Sequence, residues 1–181
     1  KTTPEGIRLL RTPVREIKNL YGAEIKFQKS LGGQAENPLS ELKGDCYDFD
    51  LEIDVKKSSS FELGVRGATI HYDAVKKILR CGGQAEKSGF PPDHWKAFVR
   101  TNVNETNNMG EAKLAAVDGK IKLRVLVDRT TVEIYANDGL VVMTSCFRPD
   151  ETRFYALSSN GEINVNASIH ALQSAWVASK K

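Results

Sequence analysis

No apolar run in this chain approaches the ~20 residues that a membrane-spanning helix needs, so no such span is expected. Cysteine is scarce. Cys46, Cys81 and Cys146 are three, with no C-x-x-C spacing, which argues against a zinc site and against a full disulfide framework; at most one bridge could form. The three histidines, His71, His94 and His170, lie far apart and show no H-x-x-x-H spacing, so no metal is expected on them. A G-x-S-x-G nucleophile elbow is missing, as is any glycine-rich phosphate loop, and no cofactor is expected. Charge of one sign is missing too. Lys and Arg number 26 against 23 Asp and Glu, for a net +3, and the basic residues are scattered, so a nucleic-acid partner is not expected.

What the chain does have is alternation. Its 181 residues suit one domain with a sizeable core. The segment "FDLEIDV" sends Phe49, Leu51, Ile53 and Val55 to one face and Asp50, Glu52 and Asp54 to the other, the mark of a half-buried strand. "FELGV", "TIHYD" and "EINVNASIHAL" repeat the pattern, the last with Ile163, Val165, Ala167 and Ile169 inward. "KIKLRVLV" turns through "DRTT" into "VEIYA", and "ANDGL" follows; Asn, Asp and Gly tolerate the positive φ of tight hairpin turns. Lys120 to Phe147 therefore reads as three successive antiparallel strands. Short alternating strands divided by Gly, Asn, Asp and Ser clusters predict an all-β fold, an antiparallel two-sheet sandwich of the jelly-roll or concanavalin kind. Residues 82–116 break the alternation and are expected to form a long loop or insertion, of a length more often functional than decorative. The start, "KTTPEG", shows neither an initiator Met nor a signal-peptide pattern, and the chain is expected to be a fragment or a processed form.

Three groups of residues could carry chemistry. Asp128, Arg129 and Glu133 sit within one hairpin, and two carboxyls ~5 to 10 Å apart could serve a glycosidase if one had a raised pKa. No apolar pocket that would hold a carboxyl protonated is evident, so the plainer expectation is a structural turn in which Arg129 pairs with Asp128 or Glu133. The ladder Asp48, Asp50, Glu52 and Asp54 offers hard oxygens of the sort calcium takes, but alternate acids on the solvent face of a strand are commoner. Trp95 stands in the irregular stretch with Phe90, His94, Phe98 and Arg100. An indole there could stack on a sugar ring while polar neighbours bond its hydroxyls, or it could simply plug the loop onto the sandwich.

Three quoted stretches share one resemblance. "GIRLLRTPVREI", then "DGKIKLRVLVDRTTVEIYANDG", then "SIHALQSAW" together resemble the C-terminal β-sandwich domain of glycoside hydrolase family 32, the levanases, inulinases, fructan exohydrolases and invertases. "VDRTTVE" followed by a Gly-containing hairpin carries the likeness most specifically. In that family the catalytic carboxylates lie on an N-terminal five-bladed propeller, in motifs resembling W-M-N-D-P-N-G, R-D-P and E-C. None of these strings occurs here. The resemblance thus implies a non-catalytic module, with residues 1–20 leading in from the propeller, in a secreted or periplasmic β-fructosidase. Its implied partners are that catalytic propeller and fructan or another carbohydrate, with Trp95, Phe90, His94 and Arg100 as the candidate sugar contacts. Two other functions stay open: a free-standing lectin-like module and a purely structural domain.

Overall fold

A computed structural model describes residues 2–3, 6–32, 35–83, 110–150 and 155–175. Eleven strands and one 3-10 turn, Arg15–Leu20, make up the regular structure of these residues. Strands β1 (Thr2–Thr3) and β2 (Gly6–Ile7) form a small ribbon. The remainder are β3 (Tyr21–Leu31), β4 (Cys46–Val65), β5 (Ala68–Asp73), β6 (Ile78–Gly83), β7 (Gly110–Lys113), β8 (Lys120–Asp128), β9 (Thr131–Ala136), β10 (Val141–Cys146) and β11 (Tyr155–Leu172).

Two long strands organise the sandwich. The first half of β4 pairs with β8 and the second half of β11, from Tyr47↔Ala171 to Asp54↔Asn164. Its second half pairs with β5 and the first half of β11. One layer is therefore β10-β9-β8-β4-β11-β3 and the other β7-β6-β5-β4-β11, all antiparallel. The expected all-β sandwich is what forms. "FDLEIDV" and "FELGV", which read as separate runs, are the two halves of β4, with register irregularities in the β11 pairing between them.

The alternation predicted which side chains go inside. Phe49, Leu51, Ile53, Ile121, Leu123, Val125, Val127, Val132, Ile134 and Val165 are all fully buried between the layers. Burying each such side chain contributes roughly 1.5–3 kcal/mol, so this stripe dominates what holds the layers together. Both hairpins of the β8–β10 meander form as read. Arg129 sits at φ 45° in the first turn, and Asn137, Asp138 and Gly139 at 46°, 59° and 81° in the second. One boundary differs from expectation. β6 runs on to Gly83 and β7 occupies Gly110–Lys113, so residues 82–83 and 110–113 of the expected 82–116 loop are strand. The reason is a short edge pairing, Leu79↔Ala112, closed off by the buried Leu114, which a four-residue alternation is too brief to announce.

Candidate functional site

The outer face of the six-stranded layer is where the polar halves of the alternating strands collect. Asp48, Asp50, Glu52 and Asp54 of β4 lie beside Leu126, Arg124, Lys122 and Lys120 of β8 on one side and beside His170, Ser168, Asn166 and Asn164 of β11 on the other. The acidic ladder is thus answered by a basic one. Lys120 Nζ donates to Glu52 Oε1 at 2.5 Å, which holds the Glu52 carboxyl below its usual range and raises Lys120.

Asp48 departs from a solvated ladder, being only 2% exposed. Its two carboxylate oxygens are forked by Arg124, Nε to Oδ1 at 3.1 Å and the terminal amino nitrogen to Oδ2 at 2.7 Å, and Tyr21 donates its hydroxyl to Oδ2 at 2.7 Å. A buried carboxylate needs such partners. Burial first, and the Asp48 hydrogen bond second, push the Tyr21 phenol up to about 12; the Asp48 bond raises the Arg124 guanidinium above its ordinary value. His170 stacks on Tyr21 with ring centroids 3.8 Å apart, and its Nε2 lies 3.3 Å from Glu24 Oε1. Tyr21, Arg124 and His170 were not singled out as a group by the sequence. Register alone sets Arg124 opposite Asp50, and only its diagonal reach to Asp48 creates the fork.

The hairpin charges take separate partners. Arg129 pairs with Asp45, at 3.6 Å with both side chains largely exposed, rather than with Asp128 or Glu133 as expected. Asp128 accepts from Cys46 Sγ at 3.4 Å, and Glu133 accepts from the Tyr135 hydroxyl at 2.7 Å. The correction has a simple cause: the backbone N–H of Arg129 is bound to the Asp45 carbonyl at 3.0 Å, which brings the 44–46 corner to the turn. The three cysteines are free. Burial pushes the Cys46 thiol up to about 11 and Cys81 to about 12, so neither is a thiolate nucleophile near neutrality. Glu24, Glu52 and Asp73 are each held below the ordinary carboxyl range, the opposite of what a general acid requires. Among the described residues no group of three metal-ligating side chains converges. An open depression of about 310 Å³ on the outer face is lined by Asp50, Glu52, Lys122, Asp138, Asn166 and Ser168. Trp95, Phe90, His94 and Arg100, the candidate sugar contacts, lie outside the described residues, as does Trp176.

Similar proteins share this architecture. The chain is 31% identical over 190 residues to a levanase of Bacillus subtilis (strain 168), covering 97% of this chain and 26% of that protein. It is 30% identical over 191 residues to a levanase of Bacillus sp. (strain L7), covering 97% of this chain and 19% of that one. It therefore spans about a quarter of the length of the first relative and a fifth of the second. Two solved structures share the fold at lower identity. Exo-inulinase from Aspergillus awamori superposes with a TM-score of 0.72 at 21% identity, over 97% of this chain and 34% of that chain. A fructofuranosidase from Schwanniomyces occidentalis complexed with fructose gives 0.72 at 17%, over 96% and 38%. The family model described as glycosyl hydrolases family 32 C terminal matches residues 16–173, and the chain belongs to that family as its C-terminal domain.

Proposed function

We propose that the chain is the non-catalytic β-sandwich module of a fructan- or sucrose-hydrolysing family 32 enzyme, secreted or periplasmic, that packs against the catalytic domain and contributes to contact with fructan. The observation that carries this reading is the state of the carboxylates. Asp48 is locked by Arg124 and Tyr21, Glu133 is capped by Tyr135, and Glu24 and Glu52 are depressed by cationic or hydroxyl neighbours. A glycosidase needs one carboxyl held protonated beside a second left ionised, and the neighbours of Glu24 and Glu52 act against the first condition. The levanase relatives are about four and five times as long as the stretch they share with this chain, which leaves room elsewhere for the catalytic groups.

Contact with fructan is supported by the open depression on the outer face, where Asp50 and Asn166 are exposed and can accept and donate to vicinal hydroxyls. The test of function is direct. The chain, shown folded by circular dichroism, is incubated with sucrose, inulin and levan across a range of pH, and free fructose is assayed. None is expected. Release that disappears in Asp128→Asn or Glu133→Gln would refute the non-catalytic reading, and a coding sequence with no hydrolase domain ahead of Lys1 would refute the modular one.

A further inference from the structure

The six-stranded layer ends in two edge strands, and they are finished differently. β10 carries no charged side chain, but it leans on β6 and β7, with Met143 Cε 3.5 Å from where a Cβ on Gly110 would stand. β3 runs for eleven residues, and among the described residues β11 alone pairs with it, which leaves a row of N–H and C=O groups along its other edge. A long edge of that kind is a template for another strand. Residues opposite one another in an antiparallel ladder share a face. Ile25 lies opposite Ile169, Phe27 opposite Ala167 and Leu31 opposite Ile163, so these three point inward with their buried partners. Lys29 lies opposite Val165, which is fully buried, and therefore points inward too. It is nevertheless exposed, because beside an open edge a lysine stem can carry its ammonium out to water.

We propose that β3 is self-complementary except at Lys29, and that this one charge keeps a second copy of the chain from adding its own β3 to the sheet. In an antiparallel pair centred on Phe27, that residue meets its counterpart and Ile25 meets position 29 twice. On the outer face Lys26 meets Gln28 and Glu24 meets Ser30, so no like charges are opposed. The misfit is Lys29 against Ile25. An added strand would close the ammonium's way to water, among Ile25, Phe27 and Val165, with no carboxylate on that face of β3 or of the stretch of β11 beside it. A charge enclosed without a partner is strongly unfavourable, and an inward-pointing charge is one means by which an edge strand is kept from pairing.

Hydrogen exchange of the β3 amides, read with the mass in solution by analytical centrifugation as concentration is raised, tests this. In the unaltered chain, exchange across residues 23–31 should not change with concentration. Lys29→Ile, a strand-favouring change at an exposed position, should give a dimer in which the amides on the open edge exchange roughly tenfold or more slowly. Lys29→Thr, which removes the charge and adds little apolar surface, should dimerise more weakly through the same amides, and it carries the test where Lys29→Ile does not fold. Lys29→Arg should behave as the unaltered chain does. Ile25→Lys combined with Lys29→Ile restores the same misfit in the same pair and should abolish the slowing. An unaltered chain whose β3 amides slow with concentration overturns the proposal. So does a folded Lys29→Ile chain that stays monomeric, or one that dimerises with β3 exchange unchanged.

Discussion

Removing Arg124 should be the most damaging single change on the outer face. Arg124→Met keeps the length and apolar stem of the side chain but leaves Asp48, 2% exposed, with only the Tyr21 hydroxyl to face its charge. Breaking one half of a buried ion pair costs about 3–5 kcal/mol, because the remaining charge is neither solvated nor compensated. For a chain of this size each kcal/mol moves Tm by roughly 2–4 °C, so a fall of ~6–20 °C is expected. Asp48→Asn should cost less, about 1–3 kcal/mol, because the Arg124 side chain is 25% exposed and can turn toward water. The double change Asp48→Leu with Arg124→Met should recover much of the loss, since an apolar pair of similar volume replaces a buried ion pair at little net cost. Urea melts of the wild type, Arg124→Met, Asp48→Leu and the double variant, with m held constant, measure the coupling directly. The control is the Asp45–Arg129 pair, whose side chains are 54% and 74% exposed and which is worth no more than ~1 kcal/mol. If Arg124→Met cost no more than Arg129→Met, or if the double change cost the sum of the singles, the argument that burial makes this fork matter would be wrong.

Ile134→Ala, at a fully buried position, should lose about 2–5 kcal/mol through transfer and cavity formation, several times the effect of Arg129→Ala in the same melts. Tyr21 has its phenol raised from 10.0 to about 12, so its contribution to stability is complete below pH 10 and is lost as pH rises toward 12. Tyr21→Phe should therefore flatten the alkaline limb of the stability profile and remove one late-ionising phenol from the tyrosinate absorbance titration; an unchanged limb contradicts the assignment. Calorimetric titration with levan and inulin oligomers should show binding between millimolar and micromolar, about −4 to −8 kcal/mol. Loss on Trp95→Ala would put the sugar contact on the 82–110 stretch, loss on Asp50→Ala with Asn166→Ala would put it in the sheet depression, and no heat from the folded chain would remove sugar contact from the proposal.

Period-2 alternation made the inner face legible residue by residue, because a strand with one buried side has no freedom to misplace Val125 or Ile134. β3 escaped notice for the complementary reason. Tyr21, Ala23, Ile25 and Phe27 do alternate, but as an edge strand it buries little: Ile25 is 41% exposed and Phe27 only partly covered. Without a full burial requirement the pattern carries little information. The outer face was misread at Asp48 and Arg129 on another ground. Which cation meets which anion depends on diagonal reach and on the 44–46 corner, separated from the β8–β9 hairpin by some eighty positions in sequence. The family resemblance, in contrast, lay in contiguous strings and needed no tertiary information, which is why it was legible before any coordinates.

The position of β11 has a consequence for the order of assembly. β3 is made before most of this domain, yet its sole ladder partner among the described residues is β11, with Ser30 meeting Asn164 across 134 positions of chain. At ~5–20 residues per second a ribosome takes on the order of 10 s to supply that partner. During that interval β3 waits with both edges open, and β4 waits with one. Neither layer can close ahead of the other, because β4 and β11 belong to both. The sandwich is thus a structure completed by its last strand, slow to form by reason of its long-range pairings, and any upstream domain has time to fold before this one does.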